Sequence, residues 1–170
     1  KENFGTRLIF TGQHPMAHPE EVLKIADHVC IGEYEFAVLD LVQGKDPQKI
    51  AGIYPNERGN LIDINRLPFP EDDDVSRIDY HEPNCRYKQI QMYGSRGCPR
   101  RCNFCAAATL YYDELNWRPR NVDDVVKEIQ ILHEKYPEME GVFFDEEVHN
   151  IKKSFNISLA KAIRKAGLQN

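Results

Sequence analysis

The sequence predicts an α/β protein built in two pieces, and three observations carry that prediction. Short apolar runs ending at glycine alternate with amphipathic helical stretches in both halves of the 170-residue chain. A proline- and acid-rich stretch, residues 57–85, interrupts the alternation. Three closely spaced cysteines, Cys98, Cys102 and Cys105, follow directly on a predicted strand of the second piece.

In the first piece, Arg7 to Thr11 is an apolar run that stops at Gly12 and reads as a buried strand. Pro19 opens a helix through Ala26, with Glu20 and Glu21 at its positive end. Asp27 to Ile31 is a second strand, closed by Gly32. A second helix is predicted from Glu33 to Val42, with Phe36, Leu39 and Val42 on one face and Gly44 as its stop. Ile50 to Tyr54 reads as a third strand. Strands alternating with helices imply a parallel layer, and residues 1–56 read as the end of a Rossmann-like domain.

Residues 57–85 read as an interdomain linker, punctuated by Pro68, Pro70 and Pro83. Its acidic run, Glu71-Asp72-Asp73-Asp74, lacks the spacing and glycine of a calcium loop and reads as a solvated segment. The α/β pattern resumes over residues 86–170. Lys88 to Tyr93 is a strand feeding the cysteine loop. Asn121 caps a helix whose Val122, Val125, Val126, Ile129 and Leu132 share a face. Asp123 and Asp124 lie at its positive end and Lys135 near its negative end. Gly141 to Asp145 is the next strand. A last helix runs from Lys152 to Ala166, with Phe155, Leu159, Ile163 and Ala166 inward and Gly167 as its stop. This order gives two β/α units of a barrel or an open sheet.

Composition narrows the function. Apolar residues make up 41% of the chain, enough for a packed core. The net charge of −5 argues against a general nucleic-acid or membrane-surface binder. No apolar run approaches the roughly 20 residues of a membrane span. The start, Lys1-Glu2-Asn3-Phe4-Gly5, has no apolar segment of a secretory signal and reads as mid-protein sequence, so a piece of a longer chain is expected. Five cysteines is an odd number, and three of them fall within eight residues. A disulfide framework would spread them, so reduced thiols in a cytoplasmic protein are expected to act as metal ligands.

The segment Gly97-Cys98-Pro99-Arg100-Arg101-Cys102-Asn103-Phe104-Cys105 is a C-x3-C-x2-C pattern. Such spacing lets one loop wrap an iron–sulfur cube and place three thiolates on three irons, leaving the fourth iron open to a chelating molecule. Cys85 as a fourth ligand would make a four-cysteine zinc site, but the paired C-x2-C knuckles of such sites are missing. A two-cluster ferredoxin needs a further cysteine set. Buried structural thiols sit poorly with Arg96, Arg100 and Arg101, which make the loop electropositive and favour thiolate. Cys30 and Cys85 read as structural.

This loop resembles the signature of the radical S-adenosylmethionine (SAM) superfamily, including the aromatic residue before the third cysteine. The resemblance implies a partial TIM barrel with a 4Fe–4S cluster held by Cys98, Cys102 and Cys105. The open iron would chelate the amino and carboxylate groups of SAM, and Phe104 would lie against the adenine. The reduced cluster would cleave the sulfonium to methionine and a 5′-deoxyadenosyl radical. A flavodoxin- or ferredoxin-like electron donor and a small-molecule substrate are implied partners. Phe143-Phe144-Asp145-Glu146-Glu147 ends the next strand with three carboxylates. It resembles the Phe-x-Asp-Asp form of members with a cobalamin domain, in which this strand end meets the SAM ammonium. That implies Asp145 and Glu146 as ligands. Trp117-Arg118-Pro119-Arg120 matches the same pattern.

The amino-terminal half is similar, over residues 7 to 55, to the later part of a cobalamin-binding domain. There a Gly-Gly-x-His and a Gly-Glu-x-Glu follow successive strands; here Gly12-Gln13-His14 and Gly32-Glu33-Tyr34-Glu35 do. This implies His14, Gly32 and Glu33 as cobalamin contacts, with Gln13 departing from the pattern. The chain also has no Asp-x-His-x-x-Gly for a lower axial histidine. The implied function is SAM cleavage in a cobalamin-linked methyltransferase or radical cyclase. The alternative is a non-catalytic four-cysteine zinc module or a degenerate homologue. Changing Cys98, Cys102 or Cys105 to Ala is each expected to abolish iron binding after anaerobic reconstitution, whereas Cys85→Ala retains it. Metal loss in the Cys85 variant, measured by elemental analysis, would favour zinc.

Overall fold

The computed structural model describes residues 5–71, 73–74, 76–80 and 83–168. They pack as two compact units. One holds the residues up to Ile62 together with Cys98–Asn116, and the other holds Asp63–Gly97 with Trp117 onward. The expected boundaries at 56 and 85 thus differ from the observed grouping.

In the first unit, β1 (Ile9–Phe10) runs parallel to β2 (His28–Val29), with Ile9 opposite His28 and Phe10 opposite Val29. Between them lie two short helices, α1 (Gln13–Ala17) and α2 (Pro19–Val22). The first of these stands where the sequence predicts a loop. The predicted helix from Pro19 stops at Val22, and a turn carries the chain on, with Ala26 N–H donating to the Val22 carbonyl at 2.9 Å. Val22, Ala26 and Val29 form one small core.

The predicted third strand is replaced by a single antiparallel bridge, Cys30 to Ile53. Pro47–Lys49 forms a 3-10 turn capped by the Asp46 carboxylate, and the Asn56 side-chain amide donates to the carbonyls of Pro47 (2.7 Å) and Ile50 (2.9 Å). These bonds curl the segment into a loop, so it cannot lie extended beside β2.

Helix α3 (Glu35–Val42) also departs from expectation. Ala37 and Leu41 are buried against Cys30, Ile50 and Ile53. Phe36, Leu39 and Val42, predicted to share one apolar face, are 40%, 46% and 76% exposed. The helix sequence is apolar on nearly every side, so periodicity does not choose a face. Close approach does. A Cβ placed on Gly52 would meet the Ala37 Cβ at 3.3 Å, so the loop seats against the helix only where small residues face each other.

The second unit is built on a parallel pair, β3 (Gln89–Met92) and β6 (Gly141–Phe144), in register from Gln89–Gly141 to Met92–Phe144. A short antiparallel pair, β4 (Ser95–Arg96) and β5 (Arg118–Pro119), lies between them in sequence. Helix α4 (Val122–Lys135) covers one face with Val125, Val126, Ile129 and Leu132 buried, as its periodicity predicts. Helix α5 (Lys153–Lys165) adds Phe155 and Leu159. Met92 joins them in the main core, while Ile90 packs with Ile78, Leu132 and Tyr136. Helix α5 ends as predicted at Gly167, in left-handed backbone (φ 72°). Leu168 N–H donates to the Ile163 carbonyl (3.2 Å) and Gly167 N–H to that of Arg164 (3.1 Å), the paired bonds of a Schellman stop.

The predicted linker is largely built into this unit. Ile64 and Ile78 are buried, and Asp73 pairs with Lys135 at 2.6 Å. Part of the acidic run, Asp72, lies outside the described residues. The proline and acid content of the stretch described its surface and missed the isoleucines spaced through it.

The face of α3 is directly testable. Leu41→Ala is expected to cost about 2–5 kcal/mol of unfolding free energy, and Leu39→Ala about 1 kcal/mol or less, in denaturant titrations. The reverse order would restore the periodicity-based face.

Candidate functional site

The cysteine loop leaves β4 through Gly97, a left-handed residue at φ 90° that a side chain would strain. Cys98 is half-buried, and Cys102 and Cys105 are exposed; none is in a disulfide. Cys105 N–H donates to the Cys102 carbonyl at 3.1 Å, closing a tight turn around Phe104. Phe104 itself is 89% exposed. Among the described residues, no three His, Cys, Asp or Glu side chains converge closely enough to hold a single metal ion. The donor chemistry nonetheless fits an iron–sulfur cluster: three free, accessible thiols lie on one short loop. Cys30, by contrast, is fully buried, and burial pushes its thiol up to about 11, which keeps it protonated and inert. Cys85 is half-buried and is contacted by the Gln89 side-chain amide.

After the loop, residues Ala107–Tyr111 form a wide helical turn. Its last carbonyls, on Leu110 and Tyr111, accept from the Arg58 guanidinium at 2.9 and 2.7 Å. Arg58 reaches them by crossing Gly32, where a Cβ would sit 3.1 Å from the arginine side chain. Gly32 is also left-handed, at φ 84°. Glu33, 6% exposed, accepts the Ile62 N–H at 2.7 Å. Two of the three residues implied as cobalamin contacts, Gly32 and Glu33, are therefore engaged in holding their own unit. His14 is exposed on α1, with its ring 5.2 Å from that of His18.

The three carboxylates after β6 take different directions. Asp145 is exposed, and its N–H donates to the Met92 carbonyl at 3.0 Å. The Glu146 side chain is 1% exposed. One of its oxygens accepts the Gly94 N–H at 2.8 Å and lies 3.1 Å from His149 Nδ1, and the other accepts the Ser95 hydroxyl. Glu147 accepts the Gly97 N–H at 3.1 Å. Trp117 donates its indole N–H to Ser95 at 2.9 Å and meets Phe155 edge-on. Ser95 and His149 escaped the sequence reading. Trp117 entered only as part of a matching pattern, and no spacing marks the three as neighbours.

Asp145 also lines a cleft of about 370 Å³ in this unit, with Tyr93, Arg96, Pro68 and Pro70. The cleft is also lined by an ionic triad of which the sequence reading singled out only Arg120. Glu128 on α4 is 3% exposed and meets Arg77 at 3.4 Å and Arg120 at 2.6 Å. Arg120 further donates to the Tyr93 carbonyl at 2.8 Å and lies over the Phe69 ring.

No protein-family model matches the chain. The chain is 27% identical, over 95% of its length, to an uncharacterized methyltransferase of Pyrococcus horikoshii, of which it covers 38%. It is 27% identical, over 74% of its length, to the anaerobic magnesium-protoporphyrin IX monomethyl ester cyclase of Synechocystis, of which it covers 28%. By fold it is similar to the cobalamin-dependent S-adenosylmethionine radical enzyme OxsB, with a TM-score of 0.67, 16% identity, and coverage of 92% of this chain and 24% of that one. The chain thus spans well under half the length of each. These relatives support the resemblance to cobalamin-type radical SAM proteins read from the motifs. No helix among the described residues is long and apolar enough to cross a membrane.

The triad yields a stability prediction. Glu128→Gln leaves two mostly buried guanidiniums without their carboxylate and is expected to cost about 3–5 kcal/mol. Lys135→Ala, which opens the exposed pair with Asp73, is expected to cost about 1 kcal/mol or less. Denaturant midpoints of the two variants check the contrast.

Proposed function

We propose that this chain is part of a radical SAM enzyme of the cobalamin-linked kind, catalysing methyl transfer or radical cyclisation. The observation that carries the reading is one short loop with three free, accessible thiols at C-x3-C-x2-C spacing. Cys98, Cys102 and Cys105 would hold a 4Fe–4S cluster, which when bound supplies the electron that cleaves SAM. A flavodoxin- or ferredoxin-like protein would deliver that electron.

The chain's own residues do the rest. Phe104, exposed at the turn, offers a ring for the adenine to stack on. Of the two carboxylates implied for the SAM ammonium, Glu146 is covered and already engaged by Gly94 and Ser95, so the ammonium would pair with Asp145 at the end of β6. Asp145 is the accessible one, beside a cleft large enough for a small molecule. The residues up to Ile62 form the end of a Rossmann-like cobalamin domain in this reading. Gly32 and Glu33 shape its loop, and His14, exposed on α1, would be the side chain that meets the cofactor.

The test is anaerobic incubation of the full-length protein with SAM and dithionite. Brown protein that releases 5′-deoxyadenosine, or S-adenosylhomocysteine for a methyl-transferring member, is the expected result. A colourless protein holding one zinc and lacking affinity for SAM would overturn the reading in favour of a four-cysteine zinc module.

A further inference from the structure

Two consecutive glutamates after β6 grip three of the five residues that lead from β3 into the cysteine loop. Glu146 takes the Gly94 N–H and the Ser95 hydroxyl, and Glu147 takes the Gly97 N–H. A Cβ at position 94 would stand 3.0 Å from a Glu146 oxygen, so the carboxylate reaches the amide only past a glycine. Ser95 is 1% exposed and is held from its other side by the Trp117 indole. His149 closes the set, stacked on Phe144 at 4.7 Å between ring centres.

Strand alternation accounts for the inward turn of Glu146. Side chains two apart share a face. Val142 and Phe144 pack into the core formed by α4 and α5, and Glu146 continues on that side, inward and covered. Phe143 and Asp145 lie on the opposite side, where both are exposed.

We propose that Glu146 and Glu147 are positioning residues, a carboxylate clamp that fixes the departure of the cysteine loop, and that Asp145 alone of the three meets the ligand. The iron and SAM consequences rest on the function proposed above; the clamp itself does not. A buried carboxylate accepting a backbone N–H and a hydroxyl resists displacement of both groups, because a vacated oxygen or amide in that interior carries its full desolvation cost. Outer partners of this kind orient a ligand set without touching it.

The experiment uses the full-length chain and four variants. Trp117 is the single tryptophan of the sequence given, and a Trp-to-Phe background for any others isolates its emission. Glu146→Gln is expected to shift that emission in metal-free protein and to lower iron per chain after reconstitution by roughly 10-fold. Ser95→Ala shifts the emission alike. Glu147→Gln lowers iron with the emission unchanged. Asp145→Asn keeps both the iron and the emission and weakens SAM binding by about 10-fold or more. Wild-type emission and iron in Glu146→Gln overturns the clamp. Full iron with lost SAM binding in that variant makes Glu146 a direct ligand and overturns it too. Should the wild-type protein take up no iron, the radical SAM reading fails, and the clamp is decided by emission together with amide hydrogen exchange. The same exchange measurement decides it if Glu146→Gln does not fold: Gly94 and Gly97 are expected to exchange slowly in the wild-type chain, and fast exchange at both overturns the proposal.

Discussion

The parallel pairing of β3 with β6 governs most of what the second unit does, because its register determines which residues meet beyond the strand ends. With Met92 opposite Phe144, two further residues on each chain bring Gly94 beside Glu146. A glutamate that leaves water must find donors nearby, and here they converge from the loop after β3, from the pair β4–β5 through Trp117 and Ser95, and from His149 on the way to α5. One carboxylate therefore ties together segments that the chain visits between residues 94 and 149. Glu128 plays a comparable part on the helix side, drawing Arg77 and Arg120 onto α4. Hydrophobic packing of Met92, Val125, Ile129, Phe155 and Leu159 supplies the driving force, at about 1.5–3 kcal/mol for each fully buried side chain. The carboxylates supply direction.

What the sequence made legible follows from range. Helices α4 and α5, strands β3 and β6 and the Gly167 stop all depend on residues within one element, and each lies within a residue or two of its expected limits. The C-x3-C-x2-C spacing is local in the same sense. The failures are long-range. Helix α3 is where the sequence places it, but its buried face depends on Gly52, which lies ten residues past its end. The segment after Ile50 has the composition of a strand and is bent instead by Asn56 and a 3-10 turn. Residues 63–80 have the composition of a linker, yet Ile64 and Ile78 are buried, Ile78 against Ile90, Leu132 and Tyr136, which no local pattern announces.

The same distinction separates the parts of the candidate site. The thiols, the exposed aromatic at position 104 and the row of carboxylates at 145–147 were visible as a string of residue types. Their division of labour was not. Arg58 caps a turn more than fifty residues away, and Gly32 is a glycine because that arginine passes over it. A Gly-Glu pair that looks like a ligand loop is thus also a fixed structural joint. Both readings demand the same residues, which is why composition and order cannot distinguish them.

The alternation rule offers a way through the ambiguity at the strand end. A run of three carboxylates invites the assumption that all three face a ligand, but the pleat forbids it as long as the chain stays extended. Exposure alternates from Phe143 to Glu147, with Phe144 and Glu146 covered and their neighbours open. Hence the covered Glu146 is suited to hold its own backbone and the open Asp145 to hold something else, while Glu147, past the end of β6, turns back to the Gly97 N–H. A site that must both position a metal-bearing loop and recognise a cation needs carboxylates of each kind. Placing them at adjacent positions of one strand end sets their opposite orientations with a single structural element.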